Sequence, residues 1–353
     1  MEKIRVLVVD DSAAICKIIT DCFKSDPEIQ VVGTAQSGIA ALECVNSLKP
    51  DVITLDIEMP EMDGLETLRH IRAKDTHTPV IMFSKFTSAG AVATLEALEL
   101  GATDFVPKPY TREGAISARQ QVKNQLAVRI RALGRGARGR TGSLKIDEST
   151  PSSQREPHAI HAVGIAVSTG GPKALIQIAQ NLLPDLSVPI FITQHMPPVF
   201  TGLLAERLSS RGVLPAREAV DGQMVTGGNV IIAPGDHHLE VERRSEDVFT
   251  RINQGEPENS CRPSADVMFR SLADVYGPNV LAIVMTGMGN DGKKGCQILK
   301  SLGAAVVAQD EASSVVWGMP RAVVAAGIAD AILSPTEIAA RINQILKDKE
   351  RSK

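Results

Sequence analysis

Two successive runs of alternation restrict what this chain can become. In each, short stretches rich in β-branched residues are separated by segments whose apolar positions recur at helical spacing. Such a pattern closes as a parallel sheet with helices over both faces. The first run predicts strands at 4–10, 31–35, 51–57, 80–84 and 102–109. Its helices are expected at 12–26, 38–50, 64–73 and 91–101, with a closing helix over 112–133. The second predicts strands at 162–167, 189–194, 229–234, 280–286 and 304–309, and helices at 172–181, 200–210, 264–275, 292–302 and 336–348. Within it, residues 228–255 read as an antiparallel hairpin insertion.

Between the runs, GRGARGRTGSLKIDESTPSSQREPH (134–158) has almost nothing to bury and reads as a linker. Flexible chain of that length spans roughly 25–30 Å on average. The expected organisation is therefore a domain over 1–110 with its closing helix to about 133, a basic linker over 134–158, and a second domain over 159–348. Charge follows the same division: −7 over 1–110, +6 over 111–157 and −2 over 158–353. The basic segment has no interleaved aromatics, so it is expected to be solvated or to lie on the acidic module, not to bind nucleic acid.

The five cysteines are scattered without a CxxC pair and are expected to be reduced thiols of a cytoplasmic protein. The opening MEKIRVLVVDDS carries two aspartates within ten residues of its apolar run. Neither a leader nor a membrane span is expected, and no later run reaches bilayer length.

In the first module, Asp10 and Asp11 follow strand one and Asp56 lies near the end of strand three. Carboxyl ends of parallel strands share the edge where ligands bind. Three like charges there repel unless a cation or phosphoryl group joins them. Lys108, after strand five, can supply a fixed positive charge, and Ser84, ending strand four, a hydroxyl. An octahedral Mg²⁺ held by carboxylates, with one carboxylate oxygen as nucleophile, suits these residue types. The competing explanation is that the acids cap helices.

VLVVDDS, TLDIEMPEMDGLE, VIMFS and GATDFVPKP resemble the receiver domain of two-component response regulators, a flavodoxin-like fold. The resemblance implies Asp56 as phosphoacceptor, and Asp10, Asp11, Asp56 and the Glu58 carbonyl around Mg²⁺. It further implies Ser84 and Lys108 as phosphoryl sensors, Phe105 as the aromatic switch, and a cis peptide before Pro109.

In the second module, VGIAVSTGGPKAL (163–175) ends an apolar run in Ser168-Thr169 and turns on Gly170-Gly171-Pro172. Pro suits a first helical turn, whose free N–H groups favour negative charge. The two glycines are expected to leave room for a substrate backbone. Ser168 then either caps the helix or acts as a nucleophile. His195 follows strand PIFITQ, and Asp291 lies in the turn TGMGNDGKKG after strand VLAIVMT. Serine, histidine and aspartate at three strand ends can converge as nucleophile, base and orienting acid. Their order and the absence of G-x-S-x-G argue against an ordinary α/β-hydrolase.

STGGPKAL, QHMPPVFT, EAVDG, IIAPGDHHL, RPSADVMFRSLA, TGMGNDG and AQDEASSVVWGMPRAV resemble the catalytic domain of the chemotaxis protein-glutamate methylesterases, the CheB family. The resemblance implies a Rossmann-like domain in which Ser168 is nucleophile, His195 base and Asp291 its partner. The oxyanion would be held by the Met288 N–H and by Thr169, with no cofactor at this site. Ala166 stands where that family usually has glycine, and residues 227–231 also depart from its pattern.

The implied activity is hydrolysis of glutamate γ-methyl esters on chemoreceptors, with glutamine deamidation as a second reaction, switched on by phosphorylation. The implied partners are methyl-accepting chemoreceptors and a histidine autokinase. Membrane contact is expected only through the receptors, and the chain is expected to be a monomer.

Overall fold

The computed structural model describes residues 2–85, 87–108, 114–138 and 159–351. The fold divides into two compact units, one within residues 1–146 and one within 147–353.

The first unit holds five strands: β1 (Ile4–Val9), β2 (Ile29–Ala35), β3 (Val52–Asp56), β4 (Val80–Ser84) and β5 (Asp104–Pro107). All pairings are parallel, in the order β2-β1-β3-β4-β5. This doubly wound order reverses between β1 and β3, which opens a crevice at their carboxyl ends. The β3 and β4 residues are buried throughout, as expected of strands covered on both faces. Helices α1 (Ala13–Phe23), α2 (Gly38–Leu48), α3 (Gly64–Lys74) and α4 (Ser88–Glu99) start on side-chain caps. Ser12 accepts from Ile15 N, Ser37 from Ala40 N, Asp63 from Glu66 N and Thr87 from Gly90 N. Neither Asp10 nor Asp11 caps α1, so the capping explanation of those acids fails.

Helix α5 runs Gly114–Arg138, five residues beyond the expected end at 133. Arg131 reaches Asp26 and Glu28, each at 2.6 Å, and Arg129 reaches Asp104 at 3.1 Å. Part of the basic segment thus lies on the acidic module. The peptide before Pro109 and residues 139–158 of the expected linker fall outside the described residues.

The second unit has β6 (Ala162–Val167), β7 (Ile190–Gln194), β8 (Ala216–Glu218), β9 (Val230–Ile232), β12 (Val280–Val284), β13 (Ala305–Gln309) and β14 (Ala331–Leu333) in one sheet. Their order is β14-β13-β12-β6-β7-β9-β8, all parallel. A separate antiparallel hairpin joins β10 (His238–Arg244) to β11 (Asp247–Asn253). Residues 230–232, expected as a strand over 229–234, form a buried strand of the main sheet, while the hairpin expected over 228–255 begins only at His238.

The helices are α6 (Gly171–Asn181), α7 (Phe200–Arg211), α8 (Ala265–Tyr276), α9 (Lys293–Leu302), α10 (Met319–Ala325) and α11 (Pro335–Arg351). Phe269 and Leu272 of α8 pack with Phe191, Val284, Leu299 and the hairpin's Leu239 in one buried cluster. Burying side chains of this size contributes about 2–3 kcal/mol each. The chain departs from β6 to one side and later returns to β12 on the other, so the switch point lies between β6 and β12. Among the described residues, no helix is long and apolar enough to cross a membrane.

Candidate functional site

At the first unit's crevice, one carboxylate oxygen from each of Asp10, Asp11 and Asp56 lies within 4.8 Å of the others. Asp10 and Asp56 are buried and Asp11 is exposed. Lys108 Nζ sits among them, 2.6 Å from Asp56 Oδ2 and 2.9 Å from Asp10 Oδ2. Asp10 Oδ1 accepts from Ser12 N–H at 3.0 Å, while its buried Oδ2 has the Lys108 ammonium as its partner. One ammonium among three carboxylates leaves two charges uncompensated. Burial accordingly pushes the Asp56 carboxyl up to about 6, with the Asp10 charge adding to it and Lys108 pulling the other way.

Ser84 belongs to the same edge, its carbonyl accepting from Lys108 N–H at 2.6 Å. Its hydroxyl turns away, donating toward Gly90 O at 3.1 Å and Lys85 O at 3.2 Å. Phe105 is buried in β5. The Glu58 carboxylate pairs with Lys85, and its N–H lies 3.4 Å from Asp56 Oδ1.

In the second unit the switch point between β6 and β12 brings the chemistry together. Ser168 directly follows β6 and is held by its backbone: its N–H donates to Thr286 O at 3.0 Å. Its carbonyl accepts from Gly171 N–H at 2.8 Å and from Gln194 Nε2 at 3.0 Å. The N-cap of helix α6 is Gly170, with no side-chain bond to the first turn, so Ser168 is not its cap.

The two glycines serve a purpose other than the expected approach of substrate. Gly170 has φ +80°, and a Cβ there would lie 2.5 Å from Val315 Cγ2. One at Gly171 would lie 2.0 Å from Gln194 Oε1. The protein's own side chains fill the room the glycines leave.

His195 follows β7, and its Nε2 lies 2.8 Å from Asp291 Oδ2. A carboxylate only accepts, so in the neutral ring Nε2 carries the proton and Nδ1, which faces Cys261 Sγ at 3.7 Å, carries the lone pair. Asp291 accepts four further bonds. Ser264 Oγ at 2.7 Å, Asn259 Nδ2 at 2.8 Å and Asp266 N at 3.2 Å meet Oδ1, and Ala265 N at 2.7 Å meets Oδ2. The carboxylate thereby sits at the amino end of α8, where free N–H groups and the helix dipole favour its charge. Burial opposes ionisation, yet His195 and these donors hold Asp291 well below the usual carboxylate range. Burial likewise opposes a charge on His195, but its bonds to Asp291 and Cys261 raise its proton affinity.

No hydrogen bond joins Ser168 Oγ to His195 among the described residues. Such contacts commonly tighten only around substrate. Met288 N–H has no acceptor among the described residues, and the buried Thr169 accepts at its carbonyl from Thr286 Oγ1 at 2.8 Å. Ala166 lies beneath the Asp291 turn, where a Cβ on Gly292 would stand 3.2 Å from its own.

Sequence reasoning missed Gln194, Asn259, Cys261, Ser264 and Asp266. Four of these lie in ENSCRPSAD (258–266), whose small polar residues before a helix signal a cap. Nothing local says that the cap comes from Asp291.

Residues 163–342 match the CheB methylesterase family and residues 6–119 the response regulator receiver domain family. A protein-glutamate methylesterase/protein-glutamine glutaminase of Nocardioides sp. (strain ATCC BAA-499 / JS614) is 46% identical over 351 residues, covering 97% of this chain and 95% of that protein. One of the same name from Trichodesmium erythraeum (strain IMS101) is 44% identical, covering 97% and 99%. The crystal structure of the Thermotoga maritima CheB methylesterase catalytic domain is 39% identical with a TM-score of 0.52, covering 53% of this chain and all of that one. The chain, with its receiver domain ahead of its hydrolase domain, belongs to the CheB methylesterase family.

Proposed function

We propose that this chain is a phosphorylation-activated protein-glutamate methylesterase, with protein-glutamine glutaminase activity, acting on chemoreceptors in the cytoplasm. The observation that carries it is the His195–Asp291 pair, bonded at 2.8 Å beside Ser168 at the sheet's switch point. In this reading Nδ1 of His195 takes the Ser168 proton and Oγ attacks the carbonyl of a glutamate γ-methyl ester. The Met288 N–H, with Thr169, faces the oxyanion, and each preorganised donor of this kind is worth roughly 3–4 kcal/mol. His195 returns its proton to the leaving methanol, and water then resolves the glutamyl-enzyme. An amide follows the same course with ammonia leaving. Throughout, Asp291 holds the ring and stabilises the imidazolium.

The donor set of the receiver fits Mg²⁺: three carboxylate oxygens within 4.8 Å and a two-charge excess. Asp10, Asp11, Asp56 and the Glu58 carbonyl would hold it. When bound it supplies positive charge against the phosphoryl oxygens. Asp56 is the phosphoacceptor, buried at the end of β3 with Lys108 beside it to pair with the phosphoryl group. Ser84 senses the phosphoryl group by rotating its hydroxyl off Gly90 O, and Phe105 reports the change. A histidine autokinase is the proposed phosphodonor. Fusion of a receiver to a hydrolase supports control of one by the other.

The test is methanol release from methylated receptor membranes by the full chain, with and without acetyl phosphate, beside Ser168→Ala. Release that rises with acetyl phosphate and vanishes in Ser168→Ala is expected. No release from a folded, phosphorylated chain overturns the reading.

A further inference from the structure

Residues 258–261 form a tight turn ahead of α8. Glu258 N–H donates to Cys261 O at 3.1 Å, and Cys261 N–H donates back to Glu258 O at 2.9 Å. Its central residues, Asn259 and Ser260, have φ of 54° and 61°, the left-handed pair such a turn requires. From α8, Arg270 grips Glu258 with two bonds, at 3.0 and 2.6 Å. The turn is thus anchored to the helix whose amino end holds Asp291.

It reaches the esterase site at two points. Asn259 Nδ2 donates to Asp291 Oδ1 at 2.8 Å and to Asp266 Oδ2 at 2.9 Å. Cys261 Sγ lies 3.7 Å from Nδ1 of His195. With Nε2 committed to Asp291, Nδ1 is the nitrogen left for the Ser168 proton, and Cys261 is the polar group facing it among the described residues. One bond at Nε2 leaves the ring free to swing about that contact. A second contact at Nδ1 removes this freedom, and preorganisation of that kind is where catalytic geometry is set.

We propose that this turn positions the catalytic pair, Asn259 orienting the Asp291 carboxylate and Cys261 orienting the His195 ring at its working nitrogen. The proposal rests on the esterase reading above. A consequence follows for thiol chemistry. A group attached to Cys261 Sγ stands between Nδ1 and its proton donor, and stops the reaction with Ser168 intact. Cys16, Cys22 and Cys296 are buried and Cys44 belongs to the other unit, so Cys261 is the accessible thiol of the hydrolase unit.

The experiment uses the full chain and two readouts: methanol release from methylated receptor membranes, and the rate at which a fluorophosphonate labels Ser168. The second needs an activated serine but no receptor. Asn259→Ala and Cys261→Ala are expected to lower kcat and the labelling rate about tenfold, with KM unchanged. Cys261→Ser, which keeps a hydrogen-bonding group at that position, is expected to stay within about threefold of the unmodified chain.

Methyl methanethiosulfonate supplies the second arm. The Cys261 thiolate attacks its sulfenyl sulfur, the new S–S bond forms as the S–SO₂ bond breaks, methanesulfinate leaves with the electron pair, and the thiol proton goes to solvent. Both readouts are expected to fall at least about tenfold. Dithiothreitol restores them, and Cys261→Ser is indifferent to the reagent. Labelling without methanol release refutes the methylester substrate while still measuring the turn. Variants that label as fast as the parent chain, or equal inactivation of Cys261→Ser, overturn the proposal.

Discussion

Asp291→Asn removes the charge at the centre of the hydrolase site at nearly constant volume. All five groups around the carboxylate are donors: His195 Nε2 and Ala265 N on Oδ2, and Ser264 Oγ, Asn259 Nδ2 and Asp266 N on Oδ1. An amide NH₂ on the Oδ2 side confronts Ala265 N–H, which cannot turn round. On the Oδ1 side Ser264 can rotate to accept, but Asn259 can flip only by giving up its bond to Asp266. Either orientation therefore loses one or two charge-assisted bonds, about 1.5–3 kcal/mol each, or about 2–5 kcal/mol in all. For a unit of this size that lowers the melting temperature by about 5–15 °C.

The sign with pH follows from the direction of the two shifts. Asp291 is depressed in the fold, so its contribution is complete above the unfolded value of about 3.9 and is lost as pH falls through the folded one. His195 is raised, so its contribution is complete below about 6.5 and is lost as pH rises through the folded value. The gap between parent and variant is thus widest between about pH 4 and 6.5 and narrows on both sides. Calorimetric melts across that range measure it, with methanol release alongside. A kcat loss of about 10³–10⁴ is expected by analogy with serine triads deprived of this charge. A gap that grows below pH 4, or a kcat within a factor of three of the parent, would refute the reasoning.

Asp56→Asn is expected to abolish activation by acetyl phosphate. It should also stabilise the receiver by roughly 2–3 kcal/mol at neutral pH, because it relieves the penalty of a buried carboxylate. Since that carboxyl is raised to about 6, the penalty is absent below about pH 3.9 and complete above about 6, so melts at pH 4 should bring the two chains together. Adding Mg²⁺ to the parent chain should raise the receiver's melting temperature and EDTA should reverse it; no shift would count against the metal site. Gly171→Ala places a Cβ 2.0 Å from Gln194 Oε1 and displaces the bond that Gln194 makes to Ser168 O. A destabilisation of about 1–3 kcal/mol is expected, with slower fluorophosphonate labelling of Ser168.

The receiver site was legible because each of its residues stands next to a buried strand in sequence. Asp10, Asp56, Ser84 and Lys108 all sit at carboxyl ends of strands whose apolar runs are unmistakable. Ser168 and His195 were legible for the same reason, each directly following a buried strand, and Asp291 from the glycine-rich turn that follows β12. The three-residue strands β8 and β14 were not, since three residues carry no period and form a strand only by pairing with β9 and β13. Helix α10 hid behind its opening Met319-Pro320.

What Gly170 and Gly171 make room for was equally invisible. Val315 and Gln194 arrive from distant parts of the chain. Residues 258–266 gave only a local cap signal, although four of the five bonds to Asp291 originate there.

By itself the sequence determined two α/β modules, the edge of each sheet that carries chemistry, and the residue types available there, because apolar period and strand-end position are local properties. Tertiary structure alone decided which nitrogen of His195 meets Asp291, what caps α8, and where Cys261 lies. Those contacts join residues 26 to 96 positions apart. They depend on strand order and on the placing of α8 over the sheet, and no short-range pattern encodes either.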